Sequence, residues 1–420
     1  MSDTDIESVE SFRLRARKWL AGNYPRVEGH VYDRFAAHDD DVELAEVQHQ
    51  RGLQRMLYDA GFAGICFPKE YGGQGLTPAH QRALNDEFVG YQVPFLIQVP
   101  PIVPCAAVLL DFGTEEQKRR HIPAILKGQE IWMQFLSEPS GGSDVAGALT
   151  TAVRDGDEWV INGSKIWTSG AWFSDYGLAL VRTNWDVPKH RGLTVFIIEI
   201  DQPGVELHRI EMINGSADFC QEFFTDVRVP DSRRLGDVDQ GWTVGTRWMY
   251  HEKSLGGVSP YITGSYDAPG GTDSAGEPLV DLARATGHFD DPRGRALIGE
   301  AAMLRMARAA LSDRVADGIR AGALPDSAAA IGRLMNGVVK ARYATLAFEL
   351  AGSNAVATLP DEPWAQSGFE YLERQSSSIG GGTTEMARNN ISERVLGMPR
   401  EITHDKNMPF RDVPKGPPSA

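Results

Sequence analysis

Apolar positions along residues 1–128 recur every three or four residues, the spacing of amphipathic helices. SVESFRLRARKWLAGN (8–23) carries such a stripe and stops at Gly-Asn, and ELAEVQHQRGLQRMLYDAGF (43–62) repeats it before another glycine. TEEQKRRHIPAILKGQE (114–130) begins with Thr114, an N-cap residue, with Glu116 and Gln117 in the first turn. From 130 to 236 the texture changes to short β-rich runs. TTAVRDGDEWVINGSKIWTSG (150–170) holds Asp155-Gly156 and Asn162-Gly163, two hairpin-turn signals. YGLALVRT, GLTVFIIEI and QEFFTDVRVP follow as strands. From 240 the helical spacing returns, with Asp291-Pro292 opening one long run and Leu334, Val338, Tyr343, Leu346 and Leu350 lining a second that closes at Gly352.

The pattern predicts an α+β chain: an N-terminal α-helical domain (1–128), a middle β-barrel or β-sandwich domain (129–237) and a C-terminal helical bundle (238–400). A flexible tail (401–420) is expected to be mobile or to drape over a neighbour. GGVSPYITGSYDAPGGTDSAGEP (256–278) reads as a long loop or lid. No phosphate-binding glycine loop follows a strand, which argues against a Rossmann domain.

Composition narrows the function classes. The 420 residues carry a formal charge of −15, against the basic surface that nucleic acid needs. No uninterrupted apolar stretch approaches the roughly 20 residues of a membrane span. The acidic N-terminus lacks the apolar core of a secretory signal, so the expected compartment is cytoplasmic. Cys66, Cys105 and Cys220 are too far apart to indicate a disulfide framework or a metal site.

Three motifs occur in order on the α–β–α plan: LSEPSGGSDVA (136–146), GSKIWTSGAWFSDYGLALVRT (163–183) and SIGGGTTEMARNNISERVLG (378–397). With them the chain resembles, from about residue 10 to residue 400, the acyl-CoA dehydrogenases, flavoproteins that oxidise the Cα–Cβ bond of an acyl-CoA thioester. The resemblance implies FAD as cofactor, an acyl-CoA thioester as substrate and an electron-transfer flavoprotein as acceptor. It also implies a homo- or hetero-oligomer, dimer or tetramer. By the same resemblance Trp167 covers a face of the flavin ring and Thr168 bonds its N5–O4 edge. Gln134, Leu136 and Ser137 meet the pyrimidine edge, Ser143 the CoA arm, and Thr383 and Glu385 the ribityl–phosphate region. Arg388 and Arg394 read instead as helix partners of Glu385 and Glu393.

One family feature is missing. Where many members place a glutamate as the base for the α-proton, this chain has Gly381, whose backbone N–H can still serve an oxyanion hole. A second branch of the family keeps its base on the first helix of the last domain, where this chain has Glu252-Lys253. Trp248, Met249 and Leu255 around Glu252 are expected to desolvate the carboxylate and raise its pKa. Lys253, in place of the branch's arginine, is a point charge rather than a planar fork, so it is assigned to the substrate side with looser geometry.

Two further runs depart from the family. DLARATGHFDDPRGR (281–295) stands where an Arg-x-x-Phe-Gly run grips the FAD pyrophosphate, and Glu349 opens the run that touches the adenosine half. Gly256, Gly257 and Pro260 break the helix after Glu252, which would open the acyl tunnel to a bulky or branched acyl group such as a steroid side chain. Two alternatives stay open: a non-catalytic subunit of a mixed tetramer, and an oxygen-using acyl-CoA oxidase or monooxygenase relative.

Overall fold

The structure is a computed structural model that describes residues 6–28, 32–34, 36–253, 259–264, 277–359, 362–403 and 405–414. Among the described residues six α-helices come first: α1 (Val9–Asn23), α2 (Asp40–Asp59), α3 (Pro78–Glu87), α4 (Phe95–Gln98), α5 (Ala107–Phe112) and α6 (Glu115–Leu126). Ser8 caps α1 through Ser11 N–H at 3.2 Å. At α6 the capping box forms as the sequence predicts. Thr114 Oγ1 accepts from Gln117 N–H (3.2 Å) and Gln117 Oε1 accepts from Thr114 N–H (2.9 Å). Among the described residues one stretch, Phe95–Phe112, is long and apolar enough to cross a membrane by length and composition alone. It is 72% buried here, and Pro100, Pro101 and Pro104 interrupt it.

Eight strands follow: β1 (Trp132–Phe135), β2 (Thr151–Asp155), β3 (Glu158–Ser169), β4 (Tyr176–Arg182), β5 (Leu193–Glu199), β6 (Val205–Ile210), β7 (Phe219–Pro230) and β8 (Arg234–Leu235). The sheet runs β6-β7-β3-β2-β4-β5-β8, with β1 beside β4. A single residue pair, Thr151 with Arg182, joins β2 to β4. The sheet therefore folds over at that corner into two layers, and residues of both layers fill one core, including Phe135, Ile161, Val181, Phe196 and Phe224. Asp155-Gly156 makes the predicted hairpin between β2 and β3. Asn162-Gly163 does not turn the chain: it lies inside β3 at a register shift. An added Cβ on Gly163 would come within 2.6 Å of Thr150, so the glycine serves a close backbone approach.

α7 (Gly241–Lys253) belongs to the same compact unit as the N-terminal helices and the sheet (1–268 and 403–420, apart from 213–215), although its sequence reads as the opening of the last domain. Residues 405–414, in the tail expected to be mobile or to drape over a neighbour, fold back within this unit. Phe410 is buried, stacks on Trp185 at 5.4 Å and lies under the Arg182 guanidinium at 4.0 Å.

The second unit (213–215 and 269–402) holds α8 (Glu277–Ala285), α9 (Pro292–Arg320), α10 (Ala329–Ala351), α11 (Ala365–Glu373), α12 (Ser376–Ile379) and α13 (Thr384–Asn390). Asp291 caps α9 through Arg293 N–H at 3.1 Å. On α10, Leu346 and Leu350 are buried as predicted, but Val338 is exposed. Most of the predicted loop 256–278 lies outside the described residues.

Candidate active site

In β3 the register to β7 slips between Ile166 and Thr168, leaving Trp167 as the extra residue at φ 67°. A bulge of this kind ejects one side chain from the sheet, and a bulky residue at positive φ persists only where its surroundings hold it there. The indole is 52% exposed and is braced edge-on by Phe219 at 5.9 Å. The next residue, Thr168, points inward. Its hydroxyl donates to Glu222 Oε2 at 2.9 Å and lies 3.4 Å from the Gln134 carbonyl.

β1 runs beside this bulge. The Ser137 carbonyl accepts from Ile166 N–H at 3.0 Å, and the Leu136 carbonyl accepts from Lys165 Nζ at 3.1 Å. Beyond β1 a tight turn pairs Glu138 with Gly141, and Ser143 is exposed beside it.

Glu252 joins this group through the phase of α7. Gly241, Gly245 and Trp248 form its buried stripe, and Glu252 continues that stripe one turn on, half-buried. Its Oε2 accepts from Gln134 Nε2 at 3.4 Å. The Cys105 thiol, raised chiefly by burial, is raised further by the Glu252 charge, which sets that carboxylate near the Pro101–Ala106 turn. Met249 is half-buried, Lys253 is exposed, and Leu255, Gly256 and Gly257 lie outside the described residues. Asp111 anchors the end of α7. Burial opposes its charge, but hydrogen bonds from His251 (2.8 Å) and Arg247 (2.6 Å) outweigh burial and hold its carboxyl below the usual range. Gln134, Leu136, Ser137, Trp167, Thr168 and Glu252 therefore gather within one unit.

Beneath the bulge lies a buried ionic layer that the sequence reading missed. Lys165 Nζ, fully buried, donates to Glu138 Oε1 (2.8 Å), the Leu136 carbonyl (3.1 Å) and the Leu180 carbonyl (2.6 Å), using all three of its protons. Glu138 also accepts from Leu149 and Thr150 N–H. Burial works against its charge, yet Lys165 and these donors hold its carboxyl below the usual range. Glu222 faces Lys165 across the ladder but receives no proton from it, and burial pushes its carboxyl up to about 8. The signal for these residues was available: alternation along β7 puts Cys220, Glu222 and Phe224 on one face, all buried.

In the second unit, Gly381 sits in the turn before α13 at φ 71°. Thr383 caps α13, its hydroxyl accepting from Met386 N–H at 3.0 Å, and Glu385 is exposed in the first turn. Arg388 pairs with Glu385 at 3.3 Å as expected, whereas Glu393 pairs with Arg400 at 3.6 Å rather than with Arg394. Glu349 lies 3.6 Å from both Arg293 and Arg342, so two cations offset its charge.

Residues 26–129 match the profile described as "Acyl-CoA dehydrogenase, N-terminal domain", and 134–227 match "Acyl-CoA dehydrogenase, middle domain". The chain is 32% identical over 401 residues to "Acyl-CoA dehydrogenase IpdE1" of Mycobacterium tuberculosis, covering 94% of this chain and 99% of that one. Among solved structures, "Tcur3481-Tcur3483 steroid ACAD" superposes with a TM-score of 0.71 at 27% identity, covering 96% of this chain and 100% of that one. The ChsE4-ChsE5 complex from Mycobacterium tuberculosis shares the fold, with a TM-score of 0.68 at 24% identity and coverage of 96% and 100%. This chain belongs to the acyl-CoA dehydrogenase family, a family of oxidoreductases.

Proposed function

We propose that this protein is an FAD-dependent acyl-CoA dehydrogenase converting an acyl-CoA thioester with a bulky, ring-bearing acyl group to the trans-2-enoyl-CoA, with Glu252 as the base. The observation that carries this reading is Glu252 itself. It is a half-buried carboxylate at the end of a buried helix stripe, 3.4 Å from Nε2 of Gln134, whose carbonyl lies 3.4 Å from the Thr168 hydroxyl. The residues present fit a flavin. A half-exposed indole held out by a bulge offers a flat apolar face, and Thr168, Gln134, Leu136 and Ser137 offer polar groups for the ring edges. Thr383 and Glu385 would serve the ribityl–phosphate side.

When bound, FAD supplies the acceptor for the hydride that leaves Cβ with both electrons. The chain's own part is proton chemistry. Glu252 takes the proton from Cα, and the electron pair of that bond becomes the Cα=Cβ π-bond as the β-hydrogen departs; the role of the Gly381 N–H toward the transient negative oxygen of the thioester is what the family resemblance implies. Ser143 and Lys253 would steady the CoA arm. Electrons would leave to an electron-transfer flavoprotein, and the working form would be a dimer or tetramer, of one chain or two. The steroid relative carries two joined names, Tcur3481 and Tcur3483, which favours the mixed form.

The test is anaerobic flavin bleaching by a panel of acyl-CoA thioesters, on wild type and Glu252→Gln. Bulky ring-bearing thioesters should reduce the flavin and straight short chains should lag. Equal rates across the panel would remove the substrate assignment. Full reduction in the variant would remove the base. A purified chain that holds FAD but is reduced by no thioester would favour the non-catalytic subunit, which the loss of the family's glutamate at Gly381 makes worth testing.

A further inference from the structure

We propose that Glu222, through its protonation state, sets the direction of the Thr168 hydroxyl and acts as a positioning residue behind the flavin edge; this rests on the flavin reading above. The geometry requires a choice. A hydroxyl has one proton to give, and Thr168 Oγ1 has Glu222 Oε2 at 2.9 Å and the Gln134 carbonyl at 3.4 Å. An ionised Glu222 accepts the hydrogen bond that this hydroxyl donates, and Thr168 then presents only lone pairs to anything on its other side. A neutral Glu222 can instead donate to Thr168 Oγ1, which frees the threonine proton to point away from the core. An oxidised ring nitrogen needs a donor and a reduced one carries a hydrogen of its own. The two forms of Glu222 therefore favour different redox states of the same ring.

Glu222 is built to hold both forms near working pH. It is fully buried, and its Oε1 has no hydrogen-bond partner among the described residues. From β3 it faces Thr168 and, across the ladder, Lys165, whose three protons go to Glu138 Oε1, the Leu136 carbonyl and the Leu180 carbonyl. From β6 it faces Leu207, which offers no charge. On its own strand Cys220 is pushed up to about 12, first by burial and then by the Glu222 charge. Burial raises the Glu222 carboxyl to about 8, against the Thr168 hydroxyl, its own backbone and the Lys165 charge, which pull it down. With Lys165 already neutralised by Glu138, burial wins.

The test uses the FAD-loaded protein titrated from pH 6 to pH 10, reading the flavin absorption band and the infrared stretch of a protonated carboxyl. Wild type should show a one-proton shift of the flavin band centred near 8, in step with loss of the carboxyl stretch. In Glu222→Gln both changes should vanish, with the flavin band fixed in its low-pH form. In Thr168→Val the carboxyl should still titrate while the flavin response is lost. A flavin band that does not move in wild type, or one that still shifts in Glu222→Gln, overturns the proposal. A carboxyl that titrates in a protein unable to bind FAD overturns the flavin reading instead, so the two failures are distinguishable.

Discussion

Glu222 makes a stability prediction that needs no cofactor. An unfolded glutamate titrates near 4.5 and the folded one is raised to about 8, so the folded state holds its proton more tightly than the unfolded state across that interval. Below 4.5 the carboxyl is neutral in both states and imposes no penalty. As pH rises through the window the unfolded chain ionises first, and stability falls by about 1.4 kcal/mol per pH unit, about 5 kcal/mol in all by pH 8. Above 8 both states are ionised and the loss levels off. Glu222→Gln removes this titration while keeping the size of the side chain. The unfolding free energy of the variant, relative to wild type, should therefore rise by about 4 kcal/mol between pH 5 and pH 9. Guanidinium unfolding of the FAD-free protein, followed by tryptophan fluorescence at pH 5, 7 and 9, reads this difference without a contribution from ligand binding. A difference constant to within about 1 kcal/mol over that range would refute the reasoning, because it would mean that Glu222 ionises alike in both states.

Other substitutions separate chemistry from scaffold. Glu252→Gln should slow anaerobic flavin reduction about 10²- to 10⁴-fold at unchanged FAD content, the usual contribution of a general base; stopped-flow absorbance measures it. Lys165→Met leaves Glu138 buried without its cation and should lower stability by about 3–5 kcal/mol, with part recovered in Lys165→Met/Glu138→Gln, read by chemical denaturation. Phe410→Ala should cost about 3 kcal/mol in the same assay, since Phe410 packs between Trp185 and Arg182 rather than waving in solvent.

Local rules were legible wherever one residue type does one job. Thr114 with Gln117 and Asp291 with Pro292 read directly as helix starts, because the capping partners lie within one turn. Asp155-Gly156 turned the chain and Asn162-Gly163 did not, although both dipeptides carry the same local signal. What separated them was Thr150, which approaches Gly163 across the β2–β3 hairpin, a contact that the dipeptide signal itself does not carry. Where the tail docks was not legible: Phe410 is the one large aromatic residue in a Pro- and charge-rich stretch, and its partners Trp185 and Arg182 are more than 200 positions away.

The site was legible in its parts but not in its assembly. WTS and GGGT announce themselves as motifs, yet the position of Glu252 depends on helix phase. Gly241, Gly245, Trp248 and Glu252 are spaced four, three and four apart, so the carboxylate shares a face with a tryptophan and two glycines. A sequence can list that face without saying whether it is turned inward. Gly241 decides it, since an added Cβ there would come within 2.6 Å of the Leu193 backbone. α7 lies that close to β5 only because Gly241 has no side chain, and the close approach turns the whole stripe inward. Glu252, half-buried, then meets Gln134. The missing Cβ near the start of the helix and the carboxylate at its end are two consequences of one packing requirement.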